Sequence, residues 1–157
     1  MKPGTFTQMY VQLVFAVRNR EALLNKSIRK QVFEYIGGIA KNLKHKSLIV
    51  NGTSNHVHIL IGLNPDVSIS DTVHRIKRGS SLFINDGNLC PYHFSWQEGY
   101  GAFTYSRSHL DNVYKYVENQ EAHHAKNTFR MEYLSLLEKH NVEYDPLFLF
   151  DFLDDIN

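Results

Sequence analysis

Hydrophobic and polar positions divide the chain into alternating and helical stretches. Residues 6–17, Phe-Thr-Gln-Met-Tyr-Val-Gln-Leu-Val-Phe-Ala-Val, begin by alternating and end apolar, which predicts a long strand. Ile28, Val32, Ile36, Ile39 and Leu43 then recur at helical spacing, predicting a helix over 26–44 capped by Asn25 and weakened in its middle by Gly37-Gly38. Two short strands follow, over 47–51 and 56–62, joined by a hairpin turn at Gly52-Thr53-Ser54-Asn55, and Pro65 closes the second. Ser68 or Ser70 caps a second helix with Ile69, Val73, Ile76 and Phe83 inward, and Asn85-Asp86-Gly87-Asn88 ends it. Residues 93–105 are aromatic-rich and extended, with a bend at Gly99-Tyr100-Gly101. Ser108, supported by Asp111, caps a third helix over 109–124, and a fourth covers 128–140. Pro146 and the Leu-Phe-Leu-Phe run after it predict a docked tail. The order βαββαβ with helices appended predicts an α+β, ferredoxin-like antiparallel sheet with two helices on one face and extra C-terminal helices.

No repeat, low-complexity block or Pro/Gly/Ser-rich linker interrupts the 157 residues, so they read as a single domain, with a core over about 5–125 and a C-terminal helix and acidic tail over 128–157. Hydrophobic residues are 43% and charged residues 21%, which excludes a disordered or fibrous chain. Cys90 is the only cysteine, so neither an intrachain disulfide nor a Cys-based zinc site is available. The apolar runs are too short to span a bilayer and the first residues lack a signal-peptide core, so a soluble cytoplasmic protein without a membrane partner is expected. The net charge of +1 conceals an asymmetry: residues 1–131 carry 16 Lys/Arg against 9 Asp/Glu, whereas residues 132–157 carry 1 against 7. A basic body suits a polyanion, nucleic acid above all; it is equally the surface of a well-solvated protein with an acidic tail.

Two features carry candidate chemistry. His56-Val57-His58 lies inside a predicted strand, so both imidazoles share one face with Leu60 while Val57, Ile59 and Ile61 point to the core. That spacing lets both rings bind one cation, or leaves a solvated pair without a role. Tyr116 and Gln120 stand four residues apart on the third predicted helix and share a face, with Tyr114 about 200° round the axis from Tyr116. Either Tyr116 is a nucleophile aided by a neighbouring cation, or Val113, Tyr116, Val117 and Gln120 form an ordinary amphipathic face.

Together, in this order, the features resemble a known family. The opening strand Tyr10-Val11-Gln12-Leu13-Val14-Phe15, the Asn55-His56-Val57-His58 segment, Ile76-Lys77-Arg78-Gly79-Ser80-Ser81, Phe94-Ser95-Trp96-Gln97-Glu98-Gly99-Tyr100 and Tyr116-Val117-Glu118-Asn119-Gln120 span nearly the whole chain. They look like the HUH single-tyrosine transposases of the insertion-sequence 200/605 type, which include the REP-associated tyrosine transposases. The resemblance implies a metal-dependent single-stranded DNA endonuclease and strand transferase that forms a 5′-phosphotyrosine intermediate. It makes Tyr116 the nucleophile, His56 and His58 metal ligands and Gln120 the third ligand, with Mg²⁺ or Mn²⁺ as the cation. It further implies single-stranded DNA bearing a hairpin as partner, and a homodimer in which the tyrosine acts in cis or in trans.

Other residues have two readings each. Arg75, Lys77 and Arg78, with Arg18 and Arg20 after the first strand, can hold hairpin phosphates or form a solvated surface. Trp96, Tyr100 and Phe103 can stack on unpaired bases, and more often such residues fill a core. His123 or His124 can replace Gln120 as third ligand. Competing functions are a domesticated nuclease acting on chromosomal repeat hairpins, a non-catalytic ferredoxin-like nucleic-acid-binding protein, and a phosphoesterase that uses water and dispenses with Tyr116.

Overall fold

The computed structural model describes residues 3–153. The first strand, β1 (Tyr10–Ala16), is buried along its whole length. It starts later than the sequence pattern predicts because both neighbours end opposite Tyr10, at Gly62 on one side and Tyr105 on the other. Beyond that point no strand is left to pair with, and Phe6 lies exposed. Helix α1 (Lys26–Asn42) runs unbroken through Gly37-Gly38, and its Asn25 N-cap makes no side-chain cap bond. Strands β2 (Lys46–Gly52) and β3 (His56–Gly62) form the expected hairpin. A Cβ on Gly52 would stand 2.2 Å from the His56 carbonyl oxygen, so only glycine fits this close approach. Helix α2 (Ile69–Asp86) is capped by Ser68, whose Oγ accepts from the Asp71 N–H at 3.0 Å. Its inner row closes with Ile84, while Phe83 lies at the flank and stacks on Tyr35.

Strand β4 (Gly101–Tyr105) completes a fully antiparallel sheet of order β2-β3-β1-β4, the ferredoxin-like arrangement. Only this last part of the predicted 93–105 stretch is strand; upstream, Trp96 makes an isolated bridge to Val17 and Gly99 takes the bend at a φ of +85°. Trp96 is core, its Nε1–H donating to Ser80 Oγ at 2.9 Å, and Phe103 is buried, so of the three candidate stacking aromatics Tyr100 alone is exposed.

Helices α1 and α2 cover the face carrying Val57, Ile59 and Ile61. The other face is covered too. The helix predicted over 109–124 is two helices, α3 (Leu110–Glu118) and α4 (Gln120–His124), broken at Asn119. The break has a long-range cause: Asn51 Nδ2 on β2 donates to the carbonyls of Val117 (3.0 Å) and Glu118 (2.9 Å). A continuous helix would give those carbonyls to residues 121 and 122. Ser108 does not cap α3; it lies in the 3₁₀ turn Arg107–His109 that leads into it. Val113 and Val117 pack on Leu60, and α5 (Phe129–Lys139), capped by Thr128, buries Phe129, Tyr133, Leu136 and Leu137. The tail docks through Phe150 and Phe152 against Phe129 and Tyr133, while Leu147 and Phe148 stay exposed. Gly101 admits α5 to the sheet: a Cβ there would meet the Tyr133 hydroxyl at 2.8 Å.

Candidate metal centre and nucleophile

Alternation along β3 puts His56 and His58 on the α3–α5 face, both fully buried. Glu132 of α5 reaches in between them. Its Oε1 is 2.8 Å from His58 Nε2, 3.2 Å from His56 Nε2 and 3.5 Å from His124 Nε2. Its Oε2 accepts from the Tyr116 hydroxyl and, at 3.1 Å, from Gln120 Nε2. Gln120 Oε1 in turn lies 3.0 Å from His56 Nε2. The carboxylate therefore joins the histidine pair to the tyrosine.

Hydrogen-bond partners define the two rings differently. At His56 Nδ1 stand Asn55 Oδ1 (2.7 Å) and Thr53 Oγ1 (3.0 Å). Thr53 spends its own hydrogen on Asn55 Oδ1, so both partners accept and Nδ1 carries the proton. Burial pushes the His56 pKa down to about 4, outweighing the Glu132 contact that favours charge, so the ring is neutral. Its Nε2 lone pair then faces two oxygens, Gln120 Oε1 and Glu132 Oε1, with no hydrogen between them. Such a convergence of lone pairs is built for a cation. Ligand atoms around one Mg²⁺ or Mn²⁺ at roughly 2.1 Å stand roughly 3 Å apart in cis, close to the 2.8–3.2 Å found among these atoms. His56, His58 and Glu132 offer ligand atoms all within 4.8 Å of one another.

Burial would raise the Glu132 pKa, but the His58, His124 and His56 imidazoles around the carboxylate favour its ionised form and hold it well below the usual carboxylate range. The Tyr116 phenol is shifted the other way: burial first, then the adjacent Glu132 charge, push it above its ordinary value. Its ring stands edge-on to His58 at 5.9 Å and is tilted against His123 at 4.7 Å. Tyr114, by contrast, is turned outward and partly exposed. A cleft of about 490 Å³ opens over Tyr116 and Glu132, lined among others by Tyr105, Asn112, His123, Asn127 and Lys139.

The family whose description is "Transposase IS200 like" matches residues 5–120, which holds both histidines, Tyr116 and Gln120. The chain belongs to the IS200-like transposase family. Its fold also matches solved structures. One is a protein of Deinococcus radiodurans R1 provisionally designated a transposase, with a TM-score of 0.58 and 21% identity over 76% of this chain and 96% of that one. Another is a REP-associated tyrosine transposase bound to a REP hairpin, with a TM-score of 0.58 and 13% identity over 97% of this chain and 96% of that one. No curated protein matches the sequence.

In this IS200-like transposase, Glu132 is the residue that sequence reasoning missed. It lies beyond the matched stretch, on a helix with no part in the sequence motif. The signal was present nonetheless: Phe129, Glu132, Tyr133 and Leu136 recur at helical spacing, so an acid occupies an inward position. His124 approaches the same carboxylate, whereas His123 lies over Tyr116.

The five candidate phosphate-binding cations lie elsewhere. Arg18 and Arg20 are exposed after β1. Arg75 and Arg78 are exposed on α2, across the sheet from the histidines, and Arg75 pairs with Asp71 at 3.1 Å. Lys77 donates its ammonium hydrogens to the carbonyls of Gln97 (2.8 Å) and Gly99 (2.6 Å), and burial lowers its pKa to about 8. None of the five lines the cleft over Tyr116. Among the described residues, no helix is long and apolar enough to cross a membrane.

Proposed function

We propose that this IS200-like transposase cuts and rejoins single-stranded DNA with Tyr116 as the nucleophile, acting in cis beside its own histidine pair. The observation that carries the reading is the meeting of Tyr116, Gln120, His56 and His58 on one buried carboxylate. His56, His58 and Gln120 would hold the cation, and Glu132 adds a carboxylate to that set. Two imidazoles with a carboxylate and an amide oxygen suit Mn²⁺ well and Mg²⁺ acceptably. When bound, the cation supplies positive charge that polarises the scissile phosphate and offsets the Glu132 charge beside the phenol.

The remaining work falls to the chain's own groups. Glu132 Oε2 fixes the Tyr116 hydroxyl by accepting its hydrogen. As the phenol oxygen bonds to phosphorus its proton passes along that hydrogen bond to the Glu132 carboxylate, from which the leaving oxygen can recover it. The bond from phosphorus to the 3′ oxygen breaks, and that oxygen takes up a proton. The products are a 5′-phosphotyrosine and a free 3′-hydroxyl. Attack of a 3′-hydroxyl on the phosphotyrosine reverses these steps, so the link conserves the bond energy and no nucleotide cofactor is needed.

A hairpin-bearing single strand is the proposed partner, supported by the family and by a structural neighbour bound to a REP hairpin. Arg18, Arg20, Arg75 and Arg78 are its candidate phosphate contacts, away from the cleavage centre; Lys77 would have to release two carbonyls to join them. A homodimer is proposed on the resemblance alone.

The test is a denaturing gel of the protein with labelled single-stranded DNA from the flanks of its own gene, plus Mn²⁺. A covalent adduct should form, map to Tyr116 and vanish in Tyr116→Phe but not in Tyr114→Phe. Cleavage surviving in Tyr116→Phe would reject the assignment in favour of a water-using phosphoesterase.

A further inference from the structure

His58 and His56 are not equivalent, and the difference involves residues that the proposed chemistry does not use. Gln12 on β1 is fully buried, and its Nε2 lies 2.7 Å from His58 Nδ1. Its Oε1 accepts from the Tyr105 hydroxyl at 2.7 Å. An amide nitrogen only donates, so His58 Nδ1 must be the lone-pair nitrogen, and a neutral ring then carries its hydrogen on Nε2. That hydrogen points to Glu132 Oε1 at 2.8 Å. Four groups thus form a chain with one direction, Tyr105 to Gln12 to His58 to Glu132.

This direction cannot persist with a cation at His58 Nε2, because a metal needs the lone pair where the hydrogen now sits. The hydrogen must be on Nδ1 instead, and Gln12 must offer its oxygen there. Turning the amide brings its NH₂ to the Tyr105 oxygen, which becomes an acceptor and must aim its own hydrogen elsewhere. The ring holds one proton before and after, so the reversal needs no net proton. Gln12 is fully buried, so each lost hydrogen bond is costly and the bonds reverse together. Tyr105 lines the same cleft as Tyr116 and Glu132, so the cleft is open to its hydrogen.

We propose that Tyr105, Gln12 and His58 form a reversible relay: a cation on His58 turns the Tyr105 hydroxyl from the interior into the cleft, where it donates to a phosphate of the bound single strand. This rests on the metal reading above and adds a consequence, a coupling between cation and DNA binding through one side-chain chain. Burial raises the Tyr105 pKa to about 12, so the hydroxyl keeps its hydrogen throughout.

The test uses the full chain carrying Tyr116→Phe, so that no strand is cut. Two-bond ¹H–¹⁵N correlations of labelled histidine should place the His58 hydrogen on Nε2 without metal and on Nδ1 with Mg²⁺. Anisotropy of a labelled single strand should show Mg²⁺ tightening binding. Adding Tyr105→Phe should cut the Mg²⁺-dependent gain in affinity by about tenfold, the loss of one hydrogen bond to a charged group. In a separate variant, Gln12→Glu, whose carboxylate can only accept from Nδ1–H, should bind Mg²⁺ about tenfold more tightly. If calorimetry shows Mg²⁺ binding but the His58 tautomer does not change, the relay is wrong and the metal centre stands. If neither Mg²⁺ nor Mn²⁺ binds, both fall.

Discussion

Replacing Glu132 separates the two tasks assigned to its carboxylate, holding α5 onto the site and completing the ligand set. In the metal-free protein it accepts from His58, Tyr116 and Gln120. Each is a charge-assisted bond, worth about 1.5–3 kcal/mol net. Removing one partner from such a buried set typically costs about 3–5 kcal/mol, the expected loss for Glu132→Ala. Glu132→Gln keeps the volume and one accepting oxygen but sets an NH₂ against a neighbouring donor, so it should cost about 1–3 kcal/mol and still fold. The cation result divides differently. Losing even an outer partner of a ligand weakens metal binding about 10–100-fold, so loss of a charged ligand should cost at least about 100-fold. At 100 times its dissociation constant, Mn²⁺ should stabilise the native chain by about 2.7 kcal/mol, and this increment should fall to about 0.4 kcal/mol or less in Glu132→Gln at the same concentration. Urea unfolding with and without Mn²⁺, paired with calorimetry, reads both quantities. If Glu132→Gln bound Mn²⁺ as tightly as the native chain, Glu132 would be a neighbour of the centre and not a part of it.

The remaining predictions concern pH and the helix break. His56 is neutral in the folded protein with a pKa of about 4 against 6.5, so between these values the unfolded chain binds more protons and stability falls as pH falls. The full shift corresponds to at most about 3 kcal/mol, read as a drop in the urea midpoint of the metal-free protein from pH 7 to 4.5; a flat profile in that window refutes a neutral His56. Asn51→Ala removes both bonds to the α3 carbonyls and should cost about 1–2 kcal/mol. It also lets residues 110–124 straighten and carry Gln120 off His56, so Mn²⁺ affinity should fall with stability; unchanged affinity would show that the break does not position Gln120.

The sheet and the histidine pair were legible because they are local. Period-two alternation around Val57, Ile59 and Ile61 fixes which face His56 and His58 occupy, whatever the rest of the chain does. The covering of that face was not legible. A strand pattern says nothing of what packs on its polar side, and the helices that bury the histidines hold on through aromatic contacts of Phe129, Tyr133, Phe150 and Phe152. The break at Asn119 was hidden for a similar reason: its cause, Asn51, lies 66 residues from Val117. Helical periodicity through 109–124 gives no sign that a distant amide takes two of the carbonyls. Glu132 stood in a recognisable inward position, yet an acid on an apolar face points to no partner until the sheet is folded beneath it.

The division of the site follows from these origins. β3, held between β1 and β2, fixes the two imidazoles rigidly; Tyr116, Gln120 and Glu132 arrive on helices that side-chain packing and the Asn51 hydrogen bonds hold in place. Without a cation, the helical half disfavours ionisation of Tyr116, the proposed nucleophile. Burial and the Glu132 charge both favour the protonated phenol, and the hydrogen bond to Glu132 keeps its hydrogen engaged. Only positive charge among His56, His58 and Glu132 reverses that balance, and the same charge is what a scissile phosphate needs in order to approach an ionised glutamate. On this reading the cation does more than polarise the phosphate: it converts a site that repels DNA and suppresses its tyrosine into one that accepts both. Metal dependence should therefore appear in strand binding at the cleft as well as in cleavage, and a cation-independent tyrosine adduct is incompatible with this arrangement of charge.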